Sequence, residues 1–114
     1  MSVLNPDDLL FGAETTFEIA IPQDVLYPGE NSRLETEGKT VQLRPITIGT
    51  FQLIMKAARQ DTELIPLLMI KESLVQPTLS LEQVKKLHLG LVNFLIEQIR
   101  QISGLMGKKN SNMT

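Results

Sequence analysis

The chain has 114 residues, 42% of them apolar, and a formal net charge of −2. This length accommodates one compact domain, and the apolar content is enough for a hydrophobic core, so wholesale disorder is not expected. Cysteine is absent, which excludes disulfides, thiolate nucleophiles and cysteine-ligated metal sites. Residues 1–10 carry two acids and no base, unlike a signal peptide, and the apolar stretch at residues 64–70 is far shorter than the ~20 residues that span a bilayer. We therefore expect a cytoplasmic protein with no membrane partner.

Charge is distributed unevenly along the chain. Residues 1–38 contain eight acids and one base, a net −7, whereas the remainder contains ten bases and five acids, a net +5. We expect three segments: an acidic arm with a short strand at residues 1–39, a strand followed by helices at residues 40–107, and a flexible tail at residues 108–114. The arm either packs beside the mildly basic body or steers a basic partner.

The arm is predicted to contain a strand but no long helix. Proline and glycine interrupt it at short intervals: Asn5-Pro6, Pro22, Pro28-Gly29 and Gly38. Phe17, Ile19 and Ile21 alternate with polar or small residues, which predicts a half-buried strand. A turn at residues 37–39 then leads into a second alternating strand at residues 40–44. The two strands predict a β-hairpin, which must lean on the helices that follow because two strands alone are marginally stable.

A first helix is predicted after Thr47, which has the side chain of a helix N-cap. Its apolar residues recur at helical spacing on one stripe: Ile48, Phe51, Ile54, Met55 and Ala58.

A second helix follows, with Asp61 as its predicted N-cap. Pro66 lies near its start, where it either begins the regular helix or kinks it. The helix is apolar almost all round, through Leu64, Leu67, Leu68, Ile70, Leu74 and Val75, and is expected to end at Gln76-Pro77. A helix of this kind is either the centre of the core or a surface that awaits a partner.

A capping box marks the third helix, because Ser80 has the side chain of an N-cap and Gln83 lies three residues later. Gly90 is expected to separate this short helix from a final one that includes Leu95 and Ile99. The predicted fold is therefore α+β and mainly helical: a short N-terminal β-hairpin or extended arm followed by a bundle of about four helices.

No constellation of catalytic residues emerges. His88 is the only histidine, and its position near a helix end suits a hydrogen bond to a terminal carbonyl. No calcium-loop, phosphate-loop or nucleophile-elbow pattern occurs. We therefore predict a non-enzymatic protein without metal or cofactor. Binding to nucleic acid is also not expected, because the candidate recognition helix begins with Leu91, Phe94 and Leu95 rather than with basic residues.

Three segments resemble the small tail assembly chaperones of tailed bacteriophages and of related phage-derived tail modules. They are residues 41–49 (VQLRPITIG), residues 74–80 (LVQPTLS) and residues 94–105 (FLIEQIRQISGL). The resemblance covers residues 40–106. Residues 99–104 (IRQISG), after Tyr27-Pro28-Gly29 and Leu43-Arg44-Pro45, are also similar to small baseplate-hub assembly proteins of contractile tails, and the sequence does not distinguish the two families.

Either resemblance implies a protein that binds tail proteins, namely the tape-measure, tube or baseplate-hub protein, and has no catalytic residues. The partner-binding residues predicted for such a role are the apolar second helix and two phenylalanines of the arm: Leu64, Leu67, Leu68, Ile70, Leu74, Phe11 and Phe17. Self-association into a homo-oligomer is a further expectation. The alternatives are a minor baseplate or tail subunit retained in the particle and, less favoured, a DNA-binding regulator.

Overall fold

The structure is a computed structural model that describes residues 2–29 and 39–105. Over these residues the prediction of a mainly helical α+β protein is confirmed. Six helices and three strands follow one another in these two ranges: α1 (Pro6–Glu14), β1 (Phe17–Ala20), α2 (Gln23–Leu26), β2 (Thr40–Leu43), α3 (Ile48–Ala58), α4 (Leu64–Ser73), β3 (Leu74–Gln76), α5 (Leu81–Val84) and α6 (Leu89–Ile102).

The strands form an antiparallel sheet in the order β1-β2-β3. Phe17 is opposite Leu43 and Ile19 is opposite Val41, so the alternating apolar residues of both predicted strands share one face. The connection between β1 and β2 contains α2 rather than only a tight turn. The turn expected at residues 37–39 lies, apart from Lys39, outside the described residues, as does the tail at residues 108–114.

The third strand replaces what was predicted as the end of the second helix. That helix was expected to include Leu74 and Val75, but α4 ends at Ser73 and Leu74 begins β3. The cause is pairing with a distant strand: Leu74 is opposite Leu43, and the Arg44 amide donates to the Ser73 carbonyl at 2.9 Å. The backbone hydrogen bonds of a β-strand are made with a neighbouring strand, so pairing of β3 with β2 determines where α4 ends.

Helix α4 lies at the centre of the fold. It packs against α3, α5, α6 and β3. The core around it contains residues from the sheet and from every helix from α3 onward: Ile21, Leu43, Ile54, Ala58, Leu68, Met69, Ile70, Leu74, Val84, Leu91, Leu95 and Ile99. Of the two interpretations of this apolar helix, the structure therefore places it in the core.

Helix α1 lies in the arm, where no long helix was predicted. Asn5 and Pro6, which were interpreted as a break, begin the helix instead. Asn5 is the N-cap, Pro6 occupies the first turn, and Asp8 completes a capping box, with Asn5–Asp8 hydrogen bonds of 2.9 and 3.0 Å. None of the nine described residues of α1 is buried.

Candidate functional site

An uncovered apolar face lies on α3. The apolar residues of the stripe predicted for this helix differ in their exposure. Ile54 and Ala58 are buried, whereas Ile48 is 75% exposed and Phe51 and Met55 are each 41% exposed. At about 100° per residue, the three exposed side chains lie together beside the buried pair. We call Ile48, Phe51 and Met55 the apolar face of α3.

A groove of about 350 Å³ opens beside this face, between the start of α3 and the end of α6. Its lining is apolar except for two hydroxyls: Ile46, Thr47, Ile48, Phe51, Met69, Ser103 and Leu105. Both hydroxyl oxygens already accept a hydrogen bond from a backbone amide. Thr47 Oγ1 accepts from the Thr50 amide at 3.1 Å, and Ser103 Oγ accepts from the Ile46 amide at 2.9 Å. The groove therefore suits an apolar occupant, with these hydroxyls shaping its walls.

The end of α6 forms one wall of the groove through a specific turn. Gly104 adopts φ 79°, a left-handed conformation that glycine tolerates without strain. The Leu105 amide donates to the Arg100 carbonyl at 2.8 Å, and the Gly104 amide donates to the Gln101 carbonyl at 3.2 Å. This pair of bonds is a Schellman motif. It turns the chain so that Leu105 lines the groove.

The segment before α3 is held at a second point, against the end of α4. Besides the Arg44 amide bond to the Ser73 carbonyl, the Ser73 hydroxyl donates to the Arg44 carbonyl, and Arg44 Nε donates to the Glu72 carbonyl at 3.0 Å. Ser73 is fully buried. These bonds and the Ser103–Ile46 bond fix residues 44–47, and with them the start of α3, between α4 and α6.

The segments that provide most of the groove lining carry exposed bases. Residues 44–60 and 98–105, which provide most of its lining, contain four bases and no acid: Arg44, Lys56, Arg59 and Arg100. All four side chains are exposed. Because these two segments are basic, an apolar occupant with acidic flanks would suit the groove.

The predicted partner-binding residues do not form one open surface. Leu68, Ile70 and Leu74 are buried in the core, and Leu64 and Leu67 are half-buried against it. Phe17 is half-buried on the sheet, whereas Phe11 is 69% exposed on α1. Contact of these residues with a partner stays a prediction. The groove and the apolar face of α3 were not predicted, although Thr47 and Ser103-Gly104, which frame them, carry recognisable capping signals.

The predicted caps differ in their outcome. Thr47 is the N-cap of α3, and Ser80 and Gln83 form the capping box of α5 with bonds of 2.9 and 3.2 Å. Asp61 does not cap α4, whose N-cap is Glu63. Residues 62–63 form a turn, so the Asp61 carboxylate accepts from the Glu63 amide at 3.2 Å ahead of the helix.

His88 caps the N-terminus of a helix, whereas the prediction was a hydrogen bond to a carbonyl at a helix C-terminus. It is the N-cap of α6, where Nδ1 accepts from the Leu91 amide at 3.2 Å, so it contacts an amide rather than a carbonyl. Gly90 does not separate two helices but lies in the first turn of α6. A Cβ at Gly90 would lie 3.4 Å from the imidazole ring, which is van der Waals contact with the capping side chain.

No group of three or more histidine, aspartate or glutamate side chains within residues 2–29 and 39–105 could hold a metal ion. In the same part of the chain, no helix combines the length and hydrophobicity needed to cross a membrane. Comparisons with protein-family models, with curated proteins and with solved structures find no match for this chain.

Proposed function

We propose that this chain is a non-catalytic, protein-binding assembly factor of a phage or phage-like contractile tail, acting in the cytoplasm as a tail or baseplate assembly chaperone. The observation that carries the proposal is the open groove beside the apolar face of α3. Large apolar side chains that remain exposed next to an apolar groove are typical of surfaces that bind another protein.

The nature of the groove favours a protein segment as its ligand. Its two hydroxyls are engaged with the backbone, so specific polar recognition of a small molecule has few groups to use. Its apolar side chains continue onto the exposed α3 face, which extends the surface beyond one pocket. An amphipathic helix or an extended apolar segment of a tail protein would cover both.

The location of the groove supports the choice of a tail protein. Two of the three segments that resemble tail assembly chaperones meet there. Residues 46–48 of the first segment and Ser103 and Leu105 of the last segment line the groove. The resemblance thus coincides with the surface that is open for binding, rather than with the buried core alone.

Co-expression with the tape-measure, tube and baseplate-hub proteins, followed by affinity capture, tests the proposal. We expect one of these proteins to co-purify with the chain. The double variant I48S/F51S should reduce capture at least tenfold while leaving the fold intact, because both side chains are exposed. Failure of the folded wild-type chain to retain any of the three would overturn the proposal.

A matched control is available on the same helix. Leu53 is 66% exposed and is five residues from Ile48, which places it about 140° around the helix and away from the groove lining. Leu53→Ser should leave capture unchanged. Mass spectrometry of purified particles then tests the chaperone role, since stoichiometric amounts of the chain would indicate a retained baseplate or tail subunit instead.

A further inference from the structure

We propose that the groove receives helix α1 of a second copy of this chain, which a tail protein would displace when it binds there. The described residues contain two uncovered apolar surfaces, and they are complementary. One is the groove with the apolar face of α3. The other is one side of α1, where Leu9 is 72% and Leu10 is 53% exposed.

The shape of α1 suits the groove. Leu9, Leu10 and Ala13 lie within an arc of about 100° on the helix surface, which gives α1 an apolar side. Its nine residues span roughly 13 Å at the usual helical rise. The apolar face of α3, from Ile48 to Met55, covers a similar length, so α1 can lie along it as one helix packs on another.

The charges of the two surfaces are opposite. Helix α1 carries three acids, Asp7, Asp8 and Glu14, and no base. Helix α3 and its C-cap carry two exposed bases, Lys56 and Arg59, and no acid. Asp7 and Glu14 are seven residues apart and so lie within about 20° of each other, as a stripe beside Leu10. Lys56 in the last turn of α3 and Arg59 at its C-cap can face that stripe.

A second copy fits better than the same chain as the source of the helix. Only Thr15 and Thr16 connect α1 to β1, and β1 is held in the sheet by its pairing with β2. Thr15 Oγ1 also donates to the Phe11 carbonyl at 2.9 Å, which holds the connection at the helix end. No residue of α1 is buried, and none lines the chain's own groove. Because each copy has one helix and one groove, two copies can exchange helices and close a symmetric pair.

Cross-linking of single-cysteine variants tests this assignment directly, because the natural chain has no cysteine. A Leu10→Cys chain would be mixed with an Ile48→Cys chain that carries a mass tag, and a short bismaleimide would be added. We expect a mixed product that links the two chains. Pairing Leu10→Cys with Lys86→Cys, an exposed position outside the groove, should yield at least tenfold less of it.

Charge reversal provides a second readout, the mass of the wild-type chain and its variants in solution. We expect a wild-type dimer, and about tenfold weaker dimerisation for D7K/E14K and for K56E/R59E, from the loss of two exposed ion pairs. The variant with all four changes should recover the dimer. The matched control K86E should dimerise like the wild type.

Two results would overturn the inference. One is a wild-type monomer at all concentrations; the other is a chain carrying both cysteines that cross-links only within itself. These outcomes are distinct from failure of the proposed function, because no tail protein is present. A monomer whose I48S/F51S variant still loses capture would assign the groove to the tail protein alone.

Discussion

Helices α3 and α4 are neighbours in sequence and in space, and both are rich in apolar residues, yet they differ in how much of their surface is buried. Helix α4 buries Leu68, Met69, Ile70 and Ser73, whereas α3 buries only Ile54 and Ala58. The difference comes from their surroundings. Elements pack on several sides of α4, while part of the α3 surface has no covering element among the described residues.

The two helices are also stabilised in different ways. Helix α3 begins with a side-chain cap at Thr47, whereas no side-chain hydrogen bond caps α4 within the described residues. Burial of large apolar side chains contributes roughly 1.5–3 kcal/mol each, more than a cap does. The central helix therefore depends on packing, and the peripheral helix depends more on local capping.

A cavity in α4 should have the largest effect among the tests of this difference in burial. Ile70 is fully buried, so Ile70→Ala should lower the free energy of unfolding by about 2–5 kcal/mol. Urea denaturation followed by circular dichroism measures this change. Leu53→Ala on α3 is the control and should change it by less than about 0.5 kcal/mol, because that side chain is largely exposed. Equal losses would contradict the assigned difference in burial.

A smaller effect is expected at the point where α4 holds the entry to α3. Ser73→Ala removes the hydroxyl that donates to the Arg44 carbonyl and should lower the free energy of unfolding by about 1–3 kcal/mol. Glu72→Ala is the control, since Arg44 contacts the backbone carbonyl of Glu72 and this bond persists. Its exposed ion pair with Lys71 contributes less than about 1 kcal/mol. A larger loss for Glu72→Ala than for Ser73→Ala would show that the buried hydroxyl is unimportant.

The dependence of α3 on its cap is testable in the same way. Thr47→Ala should cost about 1 kcal/mol of unfolding free energy, and Thr47→Ser should restore most of it, since serine also caps. Glu63→Ala at the start of α4 should change it by less than about 0.5 kcal/mol, because no side-chain cap is lost there. A stable Thr47→Ala protein would mean that packing, not capping, supports α3.

The smallest effect is expected on the apolar face of α3. Ile48→Ser should change the free energy of unfolding by less than about 0.5 kcal/mol, because this side chain is 75% exposed. Thermal unfolding at low protein concentration measures it without a contribution from association. A loss of 2 kcal/mol or more would mean that something in the chain covers this face.

Features encoded by neighbouring residues were predictable. The alternation of Phe17, Ile19 and Ile21 predicted a strand, and Phe17–Ala20 forms one. Ser80 and Gln83 signalled the start of a helix because both partners of the capping box lie within four residues. The helix at Pro6–Glu14 was locally encoded too, by Asn5 and Asp8, but Asn5-Pro6 was interpreted as a break.

Features that depend on distant partners were not predictable. Residues 74–76 continue an apolar helical stretch, and only pairing with β2 makes them a strand. The exposure of Ile48 and Phe51 has a similar origin, because helical spacing identifies an apolar stripe but not whether another element covers it. The groove likewise needs Ile46 and Ser103 to meet, which no local pattern reveals.

The contact between Ile46 and Ser103 has a consequence for biosynthesis. Ile46 and Ser103 are 57 positions apart, and a chain emerges from the ribosome with its N-terminal part first. A nascent chain that ends before Ser103 can contain α3 but lacks the second wall of the groove. The proposed binding surface is therefore complete only after Ser103 has been synthesised, and a shorter nascent chain lacks one of its walls.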